Sequence, residues 1–240
     1  MKNENDWKPS RCIKKDGRFV PVASEVSPGS YLACTLTFAA YQDAIEKYIA
    51  GDVLDCGCGR VPFYEMYKPN SSSITCVDWQ LSPHETNHID DAMDLNEGLG
   101  YDDDKYDGII LTDVLEHIHQ PANLIKDIYR TLRPNGKVVV GVPFLYNVHE
   151  APHDFFRYTE FQLRRMFEEQ GFKVLELNPY GGYFESLFNM IQKFRPGSYW
   201  FYRATDLIRK GLMLLSPLRR INRSKERIFP LGYCLVVTKE

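Results

Sequence analysis

The side chains most able to do chemistry fall in a few short stretches. "FLYNVHEAPHDFFRYTEF", Phe144 to Phe161, brings His149, His153, Asp154, Arg157 and Tyr158 together within ten residues. Imidazoles suit general-base work near neutral pH, so His153, His149 and Asp154 are the candidate catalytic residues. A plainer role is open too: His153 and Asp154 would only fix the loop, and Thr159 in "TEFQ" would cap a helix by accepting from the Gln162 amide. A second stretch, "GDVLDCGCGRVPFY" from Gly51 to Tyr64, sets Asp55 ahead of Gly57 and Gly59. Glycines at such a turn let backbone approach something bulky. Asp78 follows 23 residues after Asp55 in "CVDW", where a carboxylate accepts hydrogen bonds from ribose hydroxyls.

The elements that must position these groups alternate along the chain. Apolar residues recur at helical spacing over residues 31–50; "DVLDC" then reads as a buried strand, "RVPFYEMY" as a short helix, and "SITCVDW" and "YDGIILTD" as further strands. A helix from about Ala122 to Leu132 closes at "RPNG", and a strand "KVVVGVP", a helix "TEFQLRRMFEEQG" and the strands "FKVLEL" and "GYCLVVTK" complete the pattern. Short apolar strands alternating with helices predict an α/β fold, a doubly wound parallel sheet covered on both faces. Its ligand crevice opens at the carboxyl ends of the strands, where Gly57 and Gly59 fall. The chain shows no internal repeat and no low-complexity segment.

The turn reads D-x-G-x-G, not G-x-G-x-x-G, and an acid at Asp55 would repel a pyrophosphate. The ligand should therefore carry a cation, and a nucleoside joined to a cation points to S-adenosylmethionine. Through "VLDCGCG", "CVDW", "DDAMDL" and "YDGIILTDVLEHIHQPANLIKDIYRTLRPNGKVVVGVPF" the sequence resembles the class I S-adenosylmethionine-dependent methyltransferases of the type 11/type 23 kind. The likeness runs from about residue 31 to 180 and resumes in "LGYCLVVTKE". It implies a Rossmann-like doubly wound sheet of seven strands, mostly parallel with an antiparallel last strand, and S-adenosylmethionine as cofactor. By the same resemblance Asp55, Gly57 and Gly59 border the methionine part, Asp78 binds both ribose hydroxyls and Trp79 packs on the adenine. Asp94 and Leu95 meet the adenine edge, and Thr112 and Asp113 face the methionine end near the sulfonium. The third glycine of some members is Val61 here, which leaves the contacts of the turn open.

"DVLEHI" with a later histidine is similar to an acid-x-x-Glu-His element of ubiquinone-pathway O-methyltransferases and small-RNA 2′-O-methyltransferases, whose side chains hold a divalent ion that polarises the acceptor hydroxyl. The matching positions are Asp113, Glu116, His117 and His153 or His149. "LEH" also occurs in metal-independent relatives and Asp113 is shorter than the usual Glu, so a divalent metal is left open and none is expected. The loop "PFLYNVHEAPHDFFRYT" resembles that of methyltransferases found with bacterial polysaccharide and lipopolysaccharide enzymes, which implies O-methylation of a small-molecule or glycan acceptor, a lipid-linked sugar among them. Two other readings stand beside it: an RNA or other nucleic-acid methyltransferase, and a non-catalytic scaffold that only binds cofactor.

Composition bounds these readings. A 240-residue chain with net charge −3 asks for no polyanionic partner, yet from Gly181 onward eleven Lys/Arg face four Asp/Glu. The body is acidic and carries no RNA-binding module, so no nucleic-acid partner is expected. Six scattered cysteines read as reduced thiols in a cytosol, and the Cys56/Cys58 spacing lacks the second pair a zinc site needs. No apolar core marks a signal peptide at the start, and no apolar run approaches the roughly 18 residues needed to span a bilayer. The expected location is cytoplasmic, with peripheral contact at the inner membrane face left open. Residues 1–30 read as an N-terminal lid or extension, residues 31–182 and 229–240 as the cofactor-binding domain, and residues 183–228 as a helical insertion before the last strand. "YFESLFNMIQKF", "SYWFYRATDLIRKGLMLLSPLRRI" and "NRSKER" make that insertion aromatic and basic at once. A lid over the acceptor, a membrane-surface contact and a dimer interface are its three candidate roles, for a monomer or a homodimer.

Overall fold

The computed structural model describes residues 1–80 and 87–240. An antiparallel hairpin, β1 (Cys12–Lys15) and β2 (Arg18–Pro21), precedes helix α1 (Tyr31–Tyr48). There follow β3 (Gly51–Cys56), α2 (Tyr64–Tyr67), β4 (Ser71–Asp78), the two-residue β5 (Asp91–Ala92) and β6 (Tyr106–Thr112). Next come α3 (Pro121–Thr131), β7 (Leu132–Pro143), α4 (Glu160–Glu168) and β8 (Phe172–Tyr180). The insertion forms α5 (Tyr183–Lys193), α6 (Tyr199–Leu214) and α7 (Ser216–Ser224), and β9 (Gly232–Lys239) closes the chain.

The main sheet has seven strands in the order β5-β4-β3-β6-β7-β9-β8. β3 pairs in parallel with β4 on one side and β6 on the other, while β9 runs antiparallel between β7 and β8. The order therefore reverses at β3, and the crevice such a reversal creates lies beyond the carboxyl ends of β3 and β6. The predicted doubly wound sheet with an antiparallel last strand is the observed one. One local difference lies at "RPNG": it does not separate helix from strand but belongs to β7, whose pairing with β6 shifts register between Tyr106 and Gly108 while Asn135 takes a left-handed conformation.

Burial on both faces explains the uninterrupted apolar runs. Ile109, Ile110 and Leu111 of β6 are fully buried, each contributing about 1.5–3 kcal/mol against exposure. α1 lays Phe38, Tyr41 and Ile45 on one face of the sheet. Its close approach depends on Gly141 of β7, because a Cβ there would lie 2.1 Å from the Tyr41 ring. The N-terminal hairpin is tied to α1 by Gln42, which accepts from the Phe19 amide (3.1 Å) and donates to the Gly17 carbonyl (2.9 Å). α4 begins at the predicted cap, with the Gln162 amide donating to Thr159 Oγ1 at 3.3 Å.

Candidate active site

A cleft of about 810 Å³ opens at the carboxyl edge of the sheet. Its first half lies over β3, β4 and β5. Gly57 and Gly59 both have positive φ (69° and 52°), the left-handed region that glycine enters at no steric cost. The Gly57 and Cys58 amides donate to the Val77 carbonyl (2.8 and 3.1 Å), so the turn folds over the end of β4. Asp78 then organises it: one carboxylate oxygen accepts from the Gly59 amide (2.5 Å) and the other from the Trp79 amide (2.6 Å). Val61, in place of a third glycine, is fully buried in the left-handed region at φ 53°, an uncommon conformation for a β-branched residue.

Asp55 is buried beside this turn and accepts a hydrogen bond from Tyr67 Oη at 2.8 Å. Burial pushes its carboxyl up to about 7; the Tyr67 bond opposes the rise and the nearby Asp78 charge adds to it. Asp94 accepts from the backbone and side-chain amides of Asn96, both at 2.9 Å, and Leu95 is buried. All the predicted cofactor residues, Asp55, Gly57, Gly59, Asp78, Trp79, Asp94, Leu95, Thr112 and Asp113, line the one cleft.

The second half lies toward α1, β8 and β9, with Ala33, Thr37, Phe38, Tyr146, Tyr180 and Leu231 in its wall. Arg11 of the N-terminal extension reaches it as well. Asp113 stands between the halves in a left-handed conformation (φ 56°) and accepts from Tyr41 Oη at 2.8 Å. It is open to the cleft and enclosed by protein elsewhere; burial raises its carboxyl and the Tyr41 bond works against that.

Above this divide sits a cluster that the chain assembles from two distant stretches. Glu116, His117 and His149 place one potential ligand atom each within 4.8 Å of the others. The Glu116 side chain is fully buried and neither carboxylate oxygen has a hydrogen-bond partner. Burial, reinforced by Asp113, pushes its carboxyl well above the usual range. His117 Nδ1 donates to the His153 carbonyl (2.8 Å), which leaves Nε2 as the lone-pair nitrogen, 3.8 Å from Glu116. His149 Nδ1 lies 3.3 Å from two acceptors, the Asp154 carboxylate and the Asn147 carbonyl, against one more distant donor, Arg157 at 3.4 Å. Its Nε2 therefore also carries the lone pair, 3.7 Å from Glu116. Desolvation lowers the His149 pKa, and the neighbouring His117 lowers it further. Both imidazoles thus turn Nε2 to Glu116.

The three catalytic candidates separate. His149 joins the Glu116 cluster. Asp154 is taken up by a bidentate pair with Arg157 (2.5 and 2.7 Å) and by the His149 amide (2.9 Å), and the Arg157 bonds hold its carboxyl down at about 2. It orients the loop. His153 is exposed and sets its ring edge against Trp79, with centroids 5.3 Å apart. Its backbone, not its ring, serves His117. Stitches back to the Leu115–His117 turn put the loop in this place: the Phe155 amide donates to the Glu116 carbonyl (2.9 Å) and Tyr158 Oη to the Leu115 carbonyl (3.0 Å). Tyr41 and Tyr67 were not marked by the sequence as site residues; a hydroxyl on an otherwise apolar helical stripe is their single signal.

None of residues 183–228 lines the cleft. The insertion touches its rim through Lys193, which donates to Tyr146 Oη (2.8 Å) and Ser30 Oγ (2.7 Å). All six cysteines are free and buried, and Cys56 and Cys58 join no metal-binding group among the described residues.

A doubly wound sheet whose crevice sets a glycine turn and a ribose-type carboxylate beside a histidine cluster is that of a nucleoside-binding α/β enzyme. The sequence profile described as "Methyltransferase domain" matches residues 36–177, more than half of the chain, and the chain belongs to that family. The fold is class I and the family's cofactor is S-adenosylmethionine. Among curated proteins it is similar to the ubiquinone biosynthesis O-methyltransferases of Coxiella burnetii, at 24% identity over 151 residues, and of Aeromonas salmonicida, at 24% over 153. The match covers 52% of this chain and 64% of each relative. Among solved structures, an S-adenosylmethionine-dependent methyltransferase from Archaeoglobus fulgidus superposes with TM-score 0.56 at 19% identity, over 83% of this chain and 90% of that one. One from Mesorhizobium loti gives 0.52 at 13%, over 88% and 98%; both likenesses concern the fold.

Proposed function

We propose that the protein methylates a hydroxyl oxygen of a small-molecule or glycan acceptor. The observation that carries this reading is the juxtaposition, in one cleft, of the Asp78–Gly59 cradle with the Glu116–His117–His149 cluster. When bound, S-adenosylmethionine supplies a sulfonium methyl group, whose bond to sulfur breaks as one to the acceptor oxygen forms. Asp78 lines the cleft as the carboxylate for the ribose hydroxyls, and Asp55 faces the cationic methionine end. The protein's own work is then to align the acceptor and receive its proton. In the absence of a cation His149 Nε2, backed by Asp154 at Nδ1, is the base that takes the proton. The aromatic wall of Phe38, Tyr146 and Tyr180 suits a flat ring or the C–H face of a sugar. The ubiquinone O-methyltransferases named above agree with an oxygen acceptor.

The orphaned carboxylate of Glu116 fits a divalent cation, because a fully buried anion without a partner is unstable unless protonated or paired with positive charge. Glu116, His117 and His149 would hold it. Such a cation lowers the pKa of an acceptor hydroxyl at neutral pH. Incubation with S-adenosylmethionine labelled in its methyl group, Mg²⁺ or Mn²⁺ and a panel of phenols, hydroxy acids and sugars tests the reading. Label in an alkali-stable ether is expected. Absence of cofactor binding by calorimetry would overturn it at the first step, and label on nitrogen or in nucleic acid at the second.

A further inference from the structure

Helix α6 is amphipathic in reverse. Its buried residues are the polar Thr205 and Asp206. Thr205 Oγ1 accepts from Gln192 of α5 at 3.3 Å, and Asp206 is paired with Arg209 and Lys210, both at 2.8 Å. Arg209 extends the network to Glu185 of α5 at 3.7 Å. The solvent side, by contrast, carries Trp200, Leu207 and Leu214 at 82%, 72% and 84% exposure. With Arg203 and Lys210 these positions recur every three or four residues, so they form a single stripe along the helix. Exposed Phe194 precedes the stripe, and exposed Leu215 and Ile221 continue it into α7. Arg195, Arg203, Arg219 and Arg220 are exposed, and among the described residues no acid pairs with any of them.

A helix that turns its paired polar groups inward and its tryptophan and leucines outward is not arranged for water alone. A second copy joined by a two-fold axis would lay this stripe on itself. That sets Arg203 and Lys210 against their own kind, since the acid of the helix, Asp206, is buried and already paired. A surface that offers apolar depth beneath a layer of phosphate suits both kinds of side chain. We propose that α6 and α7 seat the protein on an anionic lipid bilayer, with Trp200, Leu207 and Leu214 entering the headgroup boundary and the arginines meeting lipid phosphates. No helix among the described residues is long and apolar enough to cross a membrane, so the contact is peripheral. The proposal is independent of the reaction in the cleft.

Flotation of the full chain with vesicles of phosphatidylglycerol and phosphatidylcholine, against phosphatidylcholine alone, is the test. Binding to the anionic vesicles is expected, weakening as salt rises, with a blue shift of Trp200 emission that Trp200→Phe removes. Arg203→Gln with Arg219→Gln should lower the partition about thirty-fold, at about fivefold per cation. Leu207→Ser should lower it too while the thermal melt stays cooperative, which separates lost docking from lost folding. Equal binding to neutral and anionic vesicles, or binding to neither, overturns the proposal. So does a concentration-dependent dimer that Leu207→Ser dissociates in the absence of lipid binding.

Discussion

Tyr41 Oη donates to Asp113 Oδ1 across 2.8 Å, joining the middle of α1 to the first residue beyond β6. Gly141 makes this bond attainable, because any side chain at that position would meet the Tyr41 ring. The residue at the divide between the two halves of the cleft is therefore held from beneath the sheet.

Tyr41→Phe should destabilise the fold by about 1.5–3 kcal/mol, the worth of a hydrogen bond to a carboxylate. For a chain of this length that is a fall of roughly 3–12 °C in melting temperature, and turnover should fall with it. Gly141→Ala should cost more, since backbone and ring must both move. Scanning calorimetry measures both; an unchanged melting point in Tyr41→Phe would show that the two residues do not support each other.

Asp78→Ala removes the acceptor of the Gly59 and Trp79 amides as well as the expected ribose partner. Affinity for S-adenosylmethionine and S-adenosylhomocysteine should drop about ten- to a hundredfold, for bonds worth roughly 1.5–3 kcal/mol. Titration calorimetry with both ligands reads this directly. Wild-type affinity in the variant would place the nucleoside elsewhere.

Asp55 makes stability depend on pH. Its carboxyl is raised in the folded protein from 3.8 to about 7, so the native state binds the proton more tightly than the unfolded chain does. The stabilisation is complete below about pH 4 and is lost as pH rises through about 7; it amounts to something on the order of 4 kcal/mol. Asp55→Asn cannot titrate. Unfolding free energies of wild type and variant, measured between pH 4 and 8, should diverge with the wild type falling, and parallel curves would refute the assignment.

Removal of divalent ions tests the Glu116 cluster. Chelator should abolish turnover while leaving cofactor affinity intact, and Mn²⁺ or Mg²⁺ should restore it and raise the melting temperature. Asp154→Asn, which loosens the partner of His149 Nδ1, should weaken the metal about 10–100-fold without touching a ligand. Full turnover in excess chelator would leave His149 to act without a cation.

What the sequence determined was local: where apolar runs make strands, where Thr159 starts a helix, and that Asp55, Gly57, Gly59 and Asp78 fall at strand ends. These follow from neighbour-to-neighbour periodicity and from glycine's access to positive φ. Which loop histidine stands beside Glu116 was decided only in three dimensions. The sequence put His153 ahead of His149 in a ten-residue loop, but the direction of that loop depends on bonds to Leu115 and Glu116, some forty positions earlier in the chain. The surroundings of Asp154 were set in the same way, with Arg157 pairing to its carboxylate. The insertion shows the same limit at larger scale. Its basic and aromatic composition was evident, but which face of α6 meets the body depended on the pairing of Asp206, Arg209 and Glu185 across two helices. That pairing turns the polar side inward and leaves the apolar side exposed, a choice made by long-range contacts that periodicity does not encode.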